Sequence, residues 1–160
     1  MESMKYGKRS RDRLAQYAML ALRLIAGYGF LAHGLAKWSK GPAAFGSILG
    51  AIGVPAPQLM AWITIAVEIF GGIAILLGAF VALTSIPAIA LLIVAIFSVH
   101  LPYGFSSIKI VSFSHGKAQF GPPGYECDLL YIACLLVLAV SGPTRWSVDG
   151  YRLRNEAALD

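Results

Sequence analysis

A chain of 160 residues that is 58% hydrophobic and only 13% charged carries about half the charge of an ordinary soluble domain. Too little polar side chain is left to cover one water-soluble globule, so lipid must cover much of the surface. The net charge of +5 does not point to nucleic acid, because Lys5, Lys8, Arg9, Arg11 and Arg13 crowd ahead of the first apolar run, where basic residues fix membrane orientation and attract anionic headgroups.

Residues 1–13 form a basic segment, and residues 14–36 are apolar apart from Gln16, Arg23 and His33. That run is long enough for a helix to cross about 30 Å of hydrocarbon. A cleaved signal peptide would share the basic start, but this stretch is long, holds an arginine and lacks a clear small-x-small cleavage site. An uncleaved first span is expected. Residues 37–57 read as a loop punctuated by Gly41, Pro42, Pro55 and Pro57, with a short interfacial helix over Phe45–Ile52. The second span covers 58–77, with Glu68 as its one charge, and the third covers 81–100, with Pro87 in its first turns. The break between them, loosely marked by Gly78 and Thr84-Ser85, is short enough for an antiparallel helical hairpin. Residues 101–124 form the longest loop, and its stretch Ile108–Phe113 alternates apolar and polar residues as a short strand or interfacial segment does. A fourth, shortest span over 125–140 opens with Glu126 and Asp128, and residues 142–160 form a polar tail.

The expected fold is therefore all-α: an integral membrane four-helix bundle within residues 14–141. Orientation follows from lysine and arginine placement. The N-terminal five and the tail's Arg145, Arg152 and Arg154 make eight, against four in the two long loops (Lys37, Lys40, Lys109 and Lys117). The larger count belongs in the cytoplasm, which puts both termini there. Cys127 and Cys134 lie seven residues apart, about 10 Å along a helix, which is too far for a disulfide. With no C-x-x-C, a dithiol mechanism carried by this chain alone is disfavoured.

Charges in hydrocarbon cost about 2.5–3.5 kcal/mol each and persist when paired or needed. Counted from the span ends, Arg23 and Glu68 both lie about 15 Å deep, and sequential antiparallel spans touch. An Arg23–Glu68 ion pair near the midplane is expected, either as a structural clamp or as a polar lining for a ligand headgroup or proton relay. A second group, His33, Lys37, His100, Glu126 and Asp128, is expected to gather near the outer surface, as a site or as ordinary interfacial polarity. No metal-ligand spacing such as H-x-x-x-H occurs.

Three stretches together resemble the DoxX family of small four-helix membrane proteins: Arg23 to Lys37, ending in H-G-x-x-K; Glu68 to Gly78, a glutamate followed by glycines; and Ser141 to Asp149, containing G-P-x-R-x-S-x-D. The resemblance covers roughly residues 20–150. It implies a membrane subunit of a redox system in the bacterial cytoplasmic membrane, linked to quinone and to oxidation of a sulfur compound or thiol. Arg23, His33, Lys37 and Glu68 are then the candidate cofactor-binding residues, with Arg145 and Asp149 as further matching positions. No haem, iron–sulfur or dinucleotide motif is present, so another membrane or peripheral subunit would hold the electron-carrying group. A non-catalytic accessory subunit of a larger membrane complex is the alternative. A small transporter would call for broken repeated helices that the sequence lacks.

Overall fold

The basic start and the first apolar run form one helix. The computed structural model describes the backbone of residues 2–159 and the side chains of residues 11–159; the side chains of Lys5, Lys8 and Arg9 lie outside the described residues. Helix α1 (Glu2–Lys40) is followed, across Gly41, by the short α2 (Pro42–Ala51), which overlaps the interfacial helix expected there. Helix α3 (Pro57–Leu77) ends at Gly78, whose φ of +69° is a left-handed value that glycine adopts freely. Three residues later α4 (Val81–Ala95) begins, and it continues through a π-type turn (Ile96–His100) and a 3-10 turn (Leu101–Tyr103). Thr84 and Ser85 sit inside α4 rather than in the break, with both hydroxyls donating back to carbonyls one turn earlier.

Among the described residues, three helical stretches are long and apolar enough to cross a membrane: Arg11–Lys40, Pro57–Leu77 and Val81–Tyr103. Helix α5 (Glu126–Val140) has 15 residues, about 22 Å of rise, and packs beside α4 and α1. A last short helix, α6 (Val148–Glu156), starts on Ser147, whose hydroxyl accepts from the Gly150 amide at 3.0 Å.

The chain is mostly helical but not all-α. Strands β1 (Ile110–Ser114) and β2 (Lys117–Phe120) pair antiparallel within the 101–124 loop. Their two-residue turn is His115-Gly116, with φ of +51° and +74°, the geometry that matches the natural twist of a tight hairpin. The alternation over Ile108–Phe113 signals the strand, and the His-Gly pair closes it.

Glycine sets how α1 lies on α3. A Cβ on Gly72 would come within 2.6 Å of the Leu31 backbone nitrogen, and one on Gly27 within 2.8 Å of Leu76. A Cβ on Gly34 would meet Ile69 and Glu68. Only hydrogen at these positions lets the two backbones approach so closely. The core, Ala26, Phe30, Ile75, Ala88, Leu135 and Leu138, lies where α1, α3, α4 and α5 face one another. Most large apolar side chains face outward instead, as on Phe70, Ile86 and Phe97, which is the surface a hydrocarbon solvent requires.

Candidate functional site

At the end of the helices that carries both terminal segments, the tail folds back under α1. Arg23 is 4% exposed. Its Nη1 donates to Thr144 Oγ1 at 3.0 Å and its Nη2 to the Trp146 carbonyl at 2.6 Å. Its Nε is buried with no partner. The Ser147 hydroxyl ties the loop, donating to the Thr144 carbonyl at 2.7 Å and accepting from the Thr144 amide at 3.1 Å. The Asp149 amide donates to the Gly78 carbonyl at 3.0 Å, and a carboxylate oxygen of Asp149 accepts from the Val81 amide at 3.4 Å. A side chain at position 78 would strike both Arg23 and Ser147. About two turns further toward the N-terminus, Gln16 accepts from the Arg145 amide at 2.8 Å, and the Tyr17 and Trp146 rings lie 4.9 Å apart.

This lock borders an open cavity of about 440 Å³, within the size range of small-molecule sites. Its walls are mostly apolar, from Met19, Val81, Leu138 and Pro143, with Arg23, Thr144, Ser147, Asp149, Arg152 and Glu156 among the polar points. Among the described residues, no carboxylate lies within ion-pair distance of Arg23.

The pairing expected between Arg23 and Glu68 does not form. Both Glu68 oxygens accept from Lys37 Nζ, at 2.6 and 2.7 Å, and the Lys37 ammonium also lies 5.5 Å from the centre of the Phe45 ring of α2. The expected depths assumed that α1 enters the membrane at Leu14. The glycine seam instead brings Arg23 level with Gly78, just past the end of α3, while Glu68 lies about 14 Å back along that helix. Residues 14–22 of α1 run beyond α3, where they meet the tail.

The expected outer group resolves into separate contacts. His100 Nδ1 and Asp128 Oδ2 are 2.6 Å apart, joining the π-turn of α4 to the first turn of α5. A carboxylate oxygen of Glu126 accepts from the Ser107 amide at 3.0 Å and so fixes the loop. His33 is exposed, one turn before Lys37. Of the four candidate binding residues, Lys37 and Glu68 are thus paired to each other, His33 stands exposed beside them, and Arg23 lies at the other end. Arg145 is exposed and takes part through its backbone.

Sequence reasoning missed Thr144, Gly78 and the Trp146 carbonyl as partners of Arg23. A signal was present: the G-P-x-R-x-S-x-D run contains a Ser-Val-Asp helix start, and a capped helix so soon after α5 requires the loop before it to turn back. The three stretches that carried the family resemblance meet here, through Arg23, Gly78 and the 144–149 loop.

The DoxX family model matches residues 18–101. An uncharacterized membrane protein of Mycobacterium tuberculosis is 29% identical over 141 residues, covering 82% of this chain and 79% of its own length. No solved structure matches. With the matched segment taking in α1 from Ala18, all of α2 and α3, and α4 through the π-turn, the chain is a membrane protein that belongs to the DoxX family.

Proposed function

We propose that the chain is a four-span subunit of a quinone-linked membrane redox system, and that the cavity beside Arg23 receives the acceptor's head group. The observation that carries this reading is a buried guanidinium held only by uncharged oxygens on the wall of a mostly apolar cavity. A quinone presents carbonyl acceptors on an apolar ring. Arg23 fits the carbonyl, the Thr144 and Ser147 hydroxyls offer further polar contacts, and Met19, Val81 and Leu138 fit the ring. Bound there, the quinone would supply the two-electron chemistry, while the chain orients it and keeps Asp149 near for proton exchange. Electrons would arrive from a partner subunit that oxidises a sulfur compound or thiol.

Contact between residues 16–23 and 144–147 supports an even number of crossings, with α5 as the fourth. The excess of basic residues near both termini supports a cytoplasmic location for that end, in the bacterial inner membrane. The Lys37–Glu68 pair cancels its own charge and acts in this reading as a clamp between α1 and α3.

Full-length protein in proteoliposomes, treated with a photoreactive azidoquinone, should be labelled within residues 138–156. Arg23→Gln should weaken that labelling about tenfold, since one charge-assisted bond is lost. Labelling no greater than that of the surrounding lipid, or confined to the Lys37 end, overturns the reading. The second reading, an accessory subunit without chemistry, is favoured by one observation: every hydrogen bond Arg23 makes is to the chain's own tail.

A further inference from the structure

The 101–124 loop has two different faces. Strand pairing sets Ser112 opposite Gln119 and Ser114 opposite Lys117, and directly opposed residues share a face. That face is polar, and the Ser112 hydroxyl donates to Gln119 Oε1 at 2.7 Å. Phe113 opposes Ala118, and Ile110 opposes Phe120. An irregularity between Ile110 and Ser112 leaves Val111 as an extra residue, and such a bulge switches the face of what precedes it. Without it, Ile110 would share the polar face with Ser112. With it, Ile110, Phe113, Ala118 and Phe120 form one apolar face. The three large members are 65%, 71% and 62% exposed, and the strands pack on each other rather than on the helices.

We infer that this hairpin lies in the lipid headgroup layer at the end of the helices opposite the tail, with its Ile110–Phe113–Phe120 face against the bilayer and its Ser112–Lys117 face toward water. Three further observations identify lipid as the occupant. The hairpin is tied to the mouth of α5: the Gly124 amide donates to the Ser106 carbonyl, the Glu126 amide to the Phe105 carbonyl and the Cys127 amide to the Ser107 hydroxyl. It therefore starts where the chain meets the membrane surface, and strands of four or five residues reach only about 15 Å. No acidic residue occurs between Leu101 and Tyr125, whereas Lys109 and Lys117 are present, so the loop complements lipid phosphates and repels nothing anionic. Phe105 and Tyr125, with ring centres 5.6 Å apart, form an aromatic pair at its base, at the level where aromatic belts sit. Open strand edges confine the hairpin to the hydrated headgroup layer, because hydrocarbon cannot satisfy their free amides and carbonyls.

The test uses the full chain with Cys127→Ser and Cys134→Ala, reconstituted in phosphatidylcholine vesicles with and without phosphatidylglycerol. Single cysteines, Phe113→Cys or Ser112→Cys, carry an environment-sensitive NBD dye. The label at 113 should emit further to the blue, be quenched by shallow doxyl lipids and be at least threefold less open to aqueous iodide than the label at 112. A second pair, Phe120→Cys and Ser114→Cys, should repeat the contrast, so distortion at one position cannot imitate it. Lys109→Glu with Lys117→Glu should shrink the contrast in phosphatidylglycerol vesicles. Equal iodide access at both members of each pair overturns the inference. So does shielding at 113 that vanishes when the protein is diluted to one chain per vesicle, which would assign the face to a second copy.

Discussion

Two basic residues of the same helix, Arg23 buried and Lys37 partly so, are held in opposite ways. Arg23 is held by a hydroxyl and a carbonyl, whereas Lys37 is held by a carboxylate. Dipoles satisfy hydrogen bonds without cancelling charge, and a carboxylate does both. The Lys37 end is therefore electrically closed, while the Arg23 guanidinium, with no carboxylate in ion-pair contact among the described residues, shares its cavity wall with Asp149, Arg152 and Glu156. In the proposed reading, the chemistry of the partners separates a region that holds two helices together from one that recruits a ligand.

The sharpest break of this comparison is Arg23→Leu. It removes two charge-assisted bonds and strands the Thr144 hydroxyl and Trp146 carbonyl, so the folded state should lose about 3 kcal/mol. Denaturant titration in mixed micelles measures the loss, and trypsin cutting after Arg145 or Arg152 should speed up as the tail detaches. Lys37→Met or Glu68→Gln alone should each cost about 2 kcal/mol, below the usual range for a fully buried pair because the Lys37 side chain is 25% exposed. The double variant should recover most of that loss in a double-mutant cycle; additive losses would mean the two charges are not coupled. His100→Ala removes one partner of the buried Asp128 side chain and should cost about 1.5 kcal/mol, read in the same titration. Gln16→Ala loses one peripheral bond to the Arg145 amide and should cost about 0.5 kcal/mol, leaving azidoquinone labelling intact. A large loss of labelling there would extend the site along α1.

The membrane class, the three helices long and apolar enough to cross and the α2 segment were legible because hydropathy and Pro/Gly punctuation act locally. The Arg23 partnership was not, because depth was counted from the first apolar residue. The actual register is set by Gly27, Gly34 and Gly72, and small residues mark a contact without saying which one faces which. His100–Asp128 was legible as a shared level but not as a contact, since a regular helix would aim residue 100 elsewhere. The two-faced hairpin was half legible. Alternation announces a strand, but a one-residue bulge that reassigns Ile110 leaves no periodic trace.

The π-turn at Ile96–His100 has a wider consequence. It holds one residue more than an α-helical turn of the same rise, and that surplus rotates everything after it by about 100°. Wind this turn as a regular α-helix without shortening the chain and the imidazole swings away from α5, while the hairpin departs from the bundle on another bearing. A single widened turn thus acts as the compass for the whole excursion between α4 and α5. Relatives that lack the extra residue should carry their histidine one position earlier or have no acidic side chain where Asp128 stands.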